Sequence, residues 1–358
     1  MVKILHSADF HLDSAFSALS ESRARQRRQE CRQLTGRLVD FANEQGAELL
    51  LLSGDLFDAR RVYAQTAEEL ARALSRFRGE VVIAPGNHDP YTHHSPYARE
   101  KWPENVHIFT QDTLEKLEFP QYNCVVCGAA FTAAESGELQ LPDLSDDGRT
   151  VLLVLHGEVG VQGSRYRTIS VDALARSGAD YAALGHIHQY SGVQRAGNTA
   201  YAYPGCPEGR GFDELGEKGV LLGTVDKGNV DLQFVPFASR RYEQIEVDVT
   251  DGDIFEVVSA ALAEQKENIV RVILRGETEE APDLRRLQQQ LEGSAWELEL
   301  RDKTRRREDL WQHCGEDTLR GLFLDELRGQ YDSADDERRA VIEQAVRFGL
   351  AAMDDREL

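Results

Sequence analysis

The chain has 358 residues, 41% hydrophobic and 29% charged, with a formal net charge of −21. That length exceeds what one core usually supports, so two domains are the default, and the composition is globular. The acidic balance counts against an indiscriminate free-standing DNA binder, no apolar run nears the roughly 20 residues of a bilayer span, and the opening Met1-Val2-Lys3-Ile4-Leu5-His6 lacks a signal-peptide core, so a cytoplasmic address and no membrane partner are expected.

The first apolar run, Val2–Leu5, leads into His6-Ser-Ala-Asp9-Phe-His11-Leu12. Residues 20–34 carry Arg23, Arg25, Arg27 and Arg28, which read best as a solvated helix face. Leu49–Leu52 leads into Ser53-Gly54-Asp55-Leu-Phe-Asp58, with Arg60 and Arg61 just beyond. Thr66 and Glu69 have capping-box spacing ahead of Leu70, Leu74 and Phe77, which predicts a helix starting at Thr66. Val81–Ala84 leads into Pro85-Gly86-Asn87-His88-Asp89. Cys124-Val-Val-Cys127 is a single CxxC pair, and its valines suggest a buried strand; with Cys31, Cys206 and Cys314 the count is odd, which argues against a disulfide framework and for inert thiols. Val151–Leu155 leads into His156-Gly157, and Tyr181–Leu184 into Gly185-His186-Ile-His188. Apolar runs bounded by Gly, Pro or polar turns and separated by helical patterns predict an α/β fold with doubly buried strands.

The pattern changes near residue 240. Ile245, Val247 and Val249 alternate with acids; Ile254, Val257, Val258, Ala261 and Leu262 fit one helix face; Val270, Val272 and Leu274 alternate again. Leu284, Leu287 and Leu291 mark a helix, and Trp296, Leu298 and Leu300 a last strand, giving a small β-α-β-α-β unit. The tail predicts two helices, lined by Leu319, Leu322, Phe323 and Leu327 and by Val341, Ile342, Ala345 and Phe348, that pack on the chain itself or receive a partner helix. The expected domains are 1–238, 239–310 and a helical segment 311–358 that is a possible partner-docking region.

Five strand ends each deliver a metal-type donor to one edge, where open α/β sheets place their ligands. Asp9, His11, Asp55, Asn87, His156, His186 and His188 supply oxygen and imidazole without thiolate, a set that favours Mn²⁺, with Mg²⁺, Fe or Zn²⁺ as alternatives. Two such ions about 3.5–4 Å apart clamp an in-line displacement at phosphorus. Gly54, Gly86 and Gly185 leave room for sharp turns beside the donors. His6, Asp58 and Asp89 read as orienting partners or turn formers. His93, His94, His107 and His313 read as surface or structural groups.

The ordered series D-x-H, G-D-x-x-D, G-N-H-D, H-G and G-H-x-H over about residues 1–235 resembles the calcineurin-like metallophosphoesterases. The resemblance implies a four-layer α/β/β/α sandwich with a small α+β capping domain and C-terminal helices. It assigns one metal to Asp9, His11, Asp55 and His188 and the second to Asp55, Asn87, His156 and His186, with Asp55 as the bridge. It makes His88 the catalytic histidine facing the scissile phosphate, and water activated by the metals the nucleophile. Lys3-Ile-Leu-His6-Ser-Ala-Asp9-Phe-His11-Leu12, Gly54-Asp-Leu-Phe-Asp58, Leu184-Gly-His-Ile-His188, Tyr203-Pro-Gly205 and Gly216-Glu-Lys-Gly219 are similar to the DNA-repair exonuclease branch, SbcD-like and YhaO-like. Asn87-His-Asp-Pro90, Trp102-Pro-Glu-Asn-Val106 and Gly321-Leu-Phe-Leu324 favour the YhaO-like members.

That branch implies a metal-dependent DNA exonuclease and endonuclease, the nuclease subunit of an SMC-like coiled-coil ATPase complex (SbcC- or YhaN-like) in DNA repair, with homodimerisation common. Phosphate contacts fall to the arginine run at 23–28, Arg60 with Arg61, and Arg301 to Arg307; Arg210 and Phe212 are weaker substrate candidates. The same metals also serve a phosphoprotein or small-phosphodiester hydrolase. A non-catalytic scaffold subunit is the third reading.

Overall fold

The computed structural model describes residues 1–58, 63–146, 148–307 and 309–354, so Arg60 and Arg61 lie outside the described residues. Two compact units are present: Met1–Ile245 with Leu262–Arg271 and Gly293–Glu299, and Glu246–Ala261 with Val272–Glu292 and Leu300–Leu358.

In the first, β1 (Val2–Ser7), α1 (Glu21–Glu44), β2 (Leu49–Leu52), α2 (Ala64–Leu74), β3 (Glu80–Ile83), the single turn α3 (Pro96–Arg99) and β4 (Val106–Ile108) follow in order. β1, β2, β3 and β4 pair in parallel, as helical crossovers require. β5 (Glu115–Phe119), β6 (Cys124–Gly128), β7 (Thr150–His156), the short pair β8 (Glu158–Val159) and β9 (Thr168–Ile169), α4 (Val171–Arg176), β10 (Tyr181–Gly185), β11 (Gln194–Ala196) and β12 (Thr199–Ala202) come next. β13 (Gly219–Asp226) and β14 (Asn229–Pro236) return as a hairpin to the first sheet. The sheet orders are β14-β13-β1-β2-β3-β4 and β11-β12-β10-β7-β6-β5.

Three apolar clusters make four layers. Leu34, Leu38, Leu70 and Leu74 of α1 and α2 pack on Leu50, Leu52, Val81 and Ile83. Val2, Ile4, Leu49, Leu51 and Val82 meet Cys124, Val126, Leu152, Val154 and Ala183 between the sheets. Leu174 of α4 covers Val125, Leu153, Leu155 and Ala182 on the far side. The sandwich has the expected α/β/β/α order. Strands so enclosed are apolar on both faces, which is why they stood out as continuous runs.

One local expectation fails. Thr66 does not open α2: Tyr63 is its N-cap, and the Thr66 hydroxyl lies inside the first turn, donating to Asp13 Oδ1 at 3.0 Å. The long-range carboxylate outcompetes the local capping contact. All five cysteines are free thiols; Cys31, Cys124, Cys127 and Cys206 are buried, and burial pushes Cys31 and Cys124 up to about 12.

β15 (Tyr242–Asp248), α5 (Ile254–Ala261), β16 (Ile269–Arg275), β17 (Glu277–Thr278), α6 (Leu284–Gln290), β18 (Glu297–Asp302) and β19 (Arg305–Arg306) follow, with β16 central in a β15-β16-β18 sheet. This is the predicted β-α-β-α-β succession. α7 (Leu319–Asp332) and α8 (Asp336–Met353), capped by the Thr318 and Asp335 side chains, close around Leu324, Ile342 and Val346. Arg347 of α8 pairs with both Glu277 oxygens at 2.9 and 3.3 Å. Of the two readings of the tail's apolar residues, packing on the chain holds for Phe323, Leu327 and Ile342, whereas Leu319, Leu322, Val341 and Phe348 are exposed. Each helix carries more than one apolar stripe, and the seam takes the Leu324–Leu327–Tyr331 and Ile342–Val346–Leu350 stripes.

Candidate metal centre

The parallel strands β1, β2, β3, β7 and β10 set their carboxyl ends at one edge, and the seven donors leave from there. The turns after β1 and β2 are zipped together: Asp9 N–H donates to Gly54 O at 3.0 Å, His11 N–H to Asp55 O at 2.9 Å and Leu12 N–H to Leu56 O at 2.9 Å. Asp9, His11, Asp55 and His186 all have positive φ, at 56°, 43°, 52° and 107°. L-residues held there store strain on the order of 1–3 kcal/mol each, which clusters at functional sites. Gly54 takes φ 89°, and a Cβ there would sit 2.6 Å from His156 Nδ1. A Cβ on Gly86 would land on Asp55 Oδ1, so this glycine serves close approach rather than a turn.

The donors fall into two groups. Asp9, His11 and His188 offer atoms within 4.8 Å of one another, and so do Asp55, His156 and His186. Asp55 Oδ2 lies 3.7 Å from His11 Nε2 and 3.3 Å from His156 Nε2, so one carboxylate oxygen faces both groups. Asn87 Oδ1 is 2.9 Å from His156 Nε2 and 3.2 Å from His186 Nδ1.

Outer partners decide which way the imidazole lone pairs point. His156 Nδ1 lies 2.9 Å from Ser53 O, a pure acceptor, so that nitrogen carries the hydrogen. His186 Nε2 is held by Glu158 Oε1 at 3.2 Å, and His188 Nδ1 by Glu214 Oε1 at 2.7 Å. The other nitrogen of each ring turns inward: His156 and His186 toward Asn87 Oδ1, His156 also toward Asp55 Oδ2, and His188 toward Asp9 Oδ1 (3.8 Å) and His11 Nε2 (3.2 Å). Nitrogen and oxygen donors brought face to face in this way need a proton or a cation between them, and the donor set fits two divalent ions.

The protonation equilibria express the same demand. Burial disfavours charge on His156, but Asp55 and Asp9 outweigh it and raise its pKa to about 9. Burial raises Asp55, yet His156, His11 and His88 hold it well below the usual carboxylate range. Asp9 rises to about 6, chiefly from burial, with His156 and His188 opposing. Bound cations compete with these protons and move all of the groups toward their metal-binding forms.

The remaining candidates sit around this centre. His88 is exposed at its mouth, its ring 4.8 Å from that of His11, while its backbone N–H donates to Asp55 Oδ1 at 2.9 Å. Asp89 is buried and gathers the turns: its Oδ1 accepts Gly86 and Asp55 N–H at 2.7 and 3.2 Å, and its Oδ2 accepts Leu56 N–H, Phe57 N–H and the Tyr97 hydroxyl at 2.7, 3.0 and 2.5 Å. His6 lies beneath, between Tyr181 Oη (2.8 Å) and Ser53 Oγ (3.1 Å), and burial lowers it to about 3. Asp58 accepts the Ser14 hydroxyl at 3.2 Å. Arg210 is committed to Glu214 at 2.7 Å and reaches His188 Nδ1 at 3.0 Å, so it steadies the His188 support.

Sequence reasoning missed Glu158, Glu214, Tyr97 and Tyr203, whose hydroxyl donates to Gly157 O at 2.9 Å. Glu214 had one signal, an acid in the Gly-rich loop beside Arg210. The arginine run is not a uniformly solvated face. Arg27 is fully buried between Glu30 (2.7 Å) and Glu208 (2.8 Å), and Arg23 stacks 4.3 Å over Trp296. Arg307 pairs with Asp251 at 3.4 Å.

Among known proteins, the calcineurin-like phosphoesterase family matches residues 2–190. The uncharacterized metallophosphoesterase YhaO of Bacillus subtilis strain 168 is 30% identical over 334 residues, covering 84% of this chain and 81% of the relative. The DNA double-strand break repair protein Mre11 of Aeropyrum pernix is 26% identical, covering 75% and 69%. A subunit of the nuclease SbcCD from B. subtilis is 24% identical, covering 60% and 64%. With a family match across more than half its length and a relative aligned along most of it, the chain belongs to the calcineurin-like phosphoesterases.

Proposed function

We propose that this phosphoesterase is a DNA nuclease with two divalent ions, Mn²⁺ in preference to Mg²⁺, Fe or Zn²⁺. Asp9, His11, Asp55 and His188 would hold one ion and Asp55, Asn87, His156 and His186 the other. The observation that carries the hydrolytic reading is the inward convergence of imidazole nitrogens on Asp55 Oδ2 and Asn87 Oδ1. The relatives named for DNA break repair and for a nuclease support DNA as the substrate. Bound ions supply Lewis acidity to the phosphoryl oxygens and lower the pKa of water.

The chain's own groups do the rest. Asp89, through the Gly86, Asp55 and Leu56 N–H groups, holds both donor turns in register. Ser53 O, Glu158 and Glu214 orient the imidazoles toward the ion positions. His88, exposed and anchored through its backbone to Asp55, stands where a scissile phosphate enters. Water oxygen bonds to phosphorus as the bond to the leaving ester oxygen breaks; the water proton passes to solvent, and the His88 imidazolium gives its proton to the leaving oxygen.

The Mn²⁺-loaded protein is expected to cut single-stranded DNA and to leave phosphopeptide intact, with bis-p-nitrophenyl phosphate as a control for the ions. Phosphopeptide consumed while DNA survives would overturn DNA as substrate. His88→Ala is expected to lose 10²–10⁴-fold of turnover with metal content unchanged; retained turnover would reject the role of His88. An SMC-like coiled-coil ATPase is the proposed partner, and the exposed Leu319, Leu322, Val341 and Phe348 of the tail are the proposed docking residues. Copurification without such an ATPase would remove that part.

A further inference from the structure

On a chain of net charge −21, arginines gather along one cleft. The cleft, of about 860 Å³, runs between α1 and α2 and is lined by Arg25, Arg28, Arg32 and Arg37 from the first helix, Arg72 from the second and Arg76 just past its end. Among the described lining residues only Asp40 and Glu69 are acidic. Arg25, Arg28 and Arg32 are spaced i, i+3, i+7 and so share one face of α1, while Arg72 and Arg76 come from the C-terminal end of α2 and the turn after it. From residue 25 to residue 40 the cleft follows α1 for about 22 Å.

These guanidiniums are positioned rather than merely solvated. Arg32 is clamped on the buried Asp13 carboxylate at 2.8 Å, Arg28 donates to Ala15 O at 3.1 Å, and Arg76 holds Asp40 at 3.1 Å and Gly36 O at 3.3 Å. Each of the three keeps further N–H donors available. Tyr63 also lines the cleft, 48% exposed, with the Arg32 guanidinium 5.6 Å from its ring. One buried carboxylate ties the cleft to the turn that carries His11. Asp13, which accepts from Arg32, Tyr63 N–H (3.0 Å) and Thr66 Oγ1 (3.0 Å), is two residues past His11, and α1 and α2 begin beyond the strand ends that carry Asp9 and Asp55.

We propose that this cleft is a track for the backbone of single-stranded nucleic acid, feeding a strand toward the metal centre. The arginines hold the phosphates and Tyr63 offers a face for base stacking. A cationic groove with an aromatic platform is how sequence-tolerant single-strand binders are built, and the exposed aromatic favours this occupant over an acidic protein. The inference rests on the nuclease reading and locates where that substrate is held.

The test uses the full chain in EDTA and a labelled 20-nucleotide oligothymidylate, with affinity measured from 50 to 200 mM salt. R28Q/R72Q is expected to weaken binding at least 10-fold at the low-salt end and to flatten the plot of log affinity against log salt by about 0.7 per lost phosphate contact. Y63A is expected to weaken binding about 5- to 100-fold with the slope retained. Hydrolysis of bis-p-nitrophenyl phosphate by the Mn²⁺-loaded variants is expected to match the parent, which also certifies their folding. Unchanged slope and affinity in R28Q/R72Q, or no single-strand binding by the parent, would overturn the track. So would R28Q/R72Q dissociating a dimer while DNA affinity stays the same, because the cleft would then be an interface between copies. The nuclease reading fails separately: a parent protein that hydrolyses the small ester but never DNA rejects the substrate whatever the cleft does.

Discussion

Replacing Asp89 with asparagine removes one acceptor oxygen from a buried carboxylate that receives five donors. The amide keeps one oxygen, and the better placement puts it at the Oδ2 position, where Leu56, Phe57 and Tyr97 donate. The NH₂ group then faces the N–H groups of Gly86 and Asp55, which were 2.7 and 3.2 Å from Oδ1. Two buried donors lose their acceptor at about 1–3 kcal/mol each, so the fold should lose about 2–6 kcal/mol. Because those donors belong to the turns carrying Asp55 and Asn87, metal affinity should fall on the order of 10–100-fold as well. Urea denaturation of the metal-free protein reads the first effect and Mn²⁺ titration calorimetry the second. A midpoint and a metal affinity both equal to the parent's would refute Asp89 as the organiser of the turns.

His6 ties stability to acid. Its folded pKa is lowered to about 3 from 6.5, so the unfolded chain binds the proton more tightly; the stability it contributes is complete above pH 6.5 and is lost as pH falls toward 3. The loss runs at up to about 1.4 kcal/mol per pH unit, and His6→Gln should show a flatter acid limb in urea melts between pH 3 and 7, whereas equal slopes would contradict it. Glu214→Gln keeps an acceptor for His188 but loses the charge, so Mn²⁺ affinity should drop on the order of 10-fold or more by calorimetry; an unchanged affinity would show that Glu214 only anchors Arg210. Arg27→Met strands Glu208, which is 2% exposed, and should cost about 3–5 kcal/mol, while the double variant with Glu208→Gln should recover most of it. A single variant as stable as the parent would show that Glu208 finds another partner.

Much of the sandwich was readable in one dimension because its strands are enclosed on both faces: Leu49–Leu52 has no polar side to disguise it, and the donor-rich turns begin where such runs stop. Surfaces with a choice were not readable. Each tail helix carries apolar residues on more than one side, and only the pairing of Leu324 with Ile342 and Val346 selects the buried stripe. Thr66 carries a capping signature, but Asp13, 53 positions earlier, claims its hydroxyl.

The metal centre divides the same way. Sequence alone determines which seven side chains arrive at the sheet edge, since a strand of fixed length delivers the residue after it to a fixed place. Tertiary structure alone decides how they face: Ser53 O, Glu158 and Glu214, remote in the chain from the rings they hold, choose which nitrogen of each histidine points inward. The arginine cleft is likewise a product of folding. Its two sets of arginines lie some forty residues apart and become one surface only when α1 and α2 settle side by side on the first sheet. Spacing along a chain sets what a residue can reach, whereas orientation and neighbourhood depend on partners that only the closed core brings into contact.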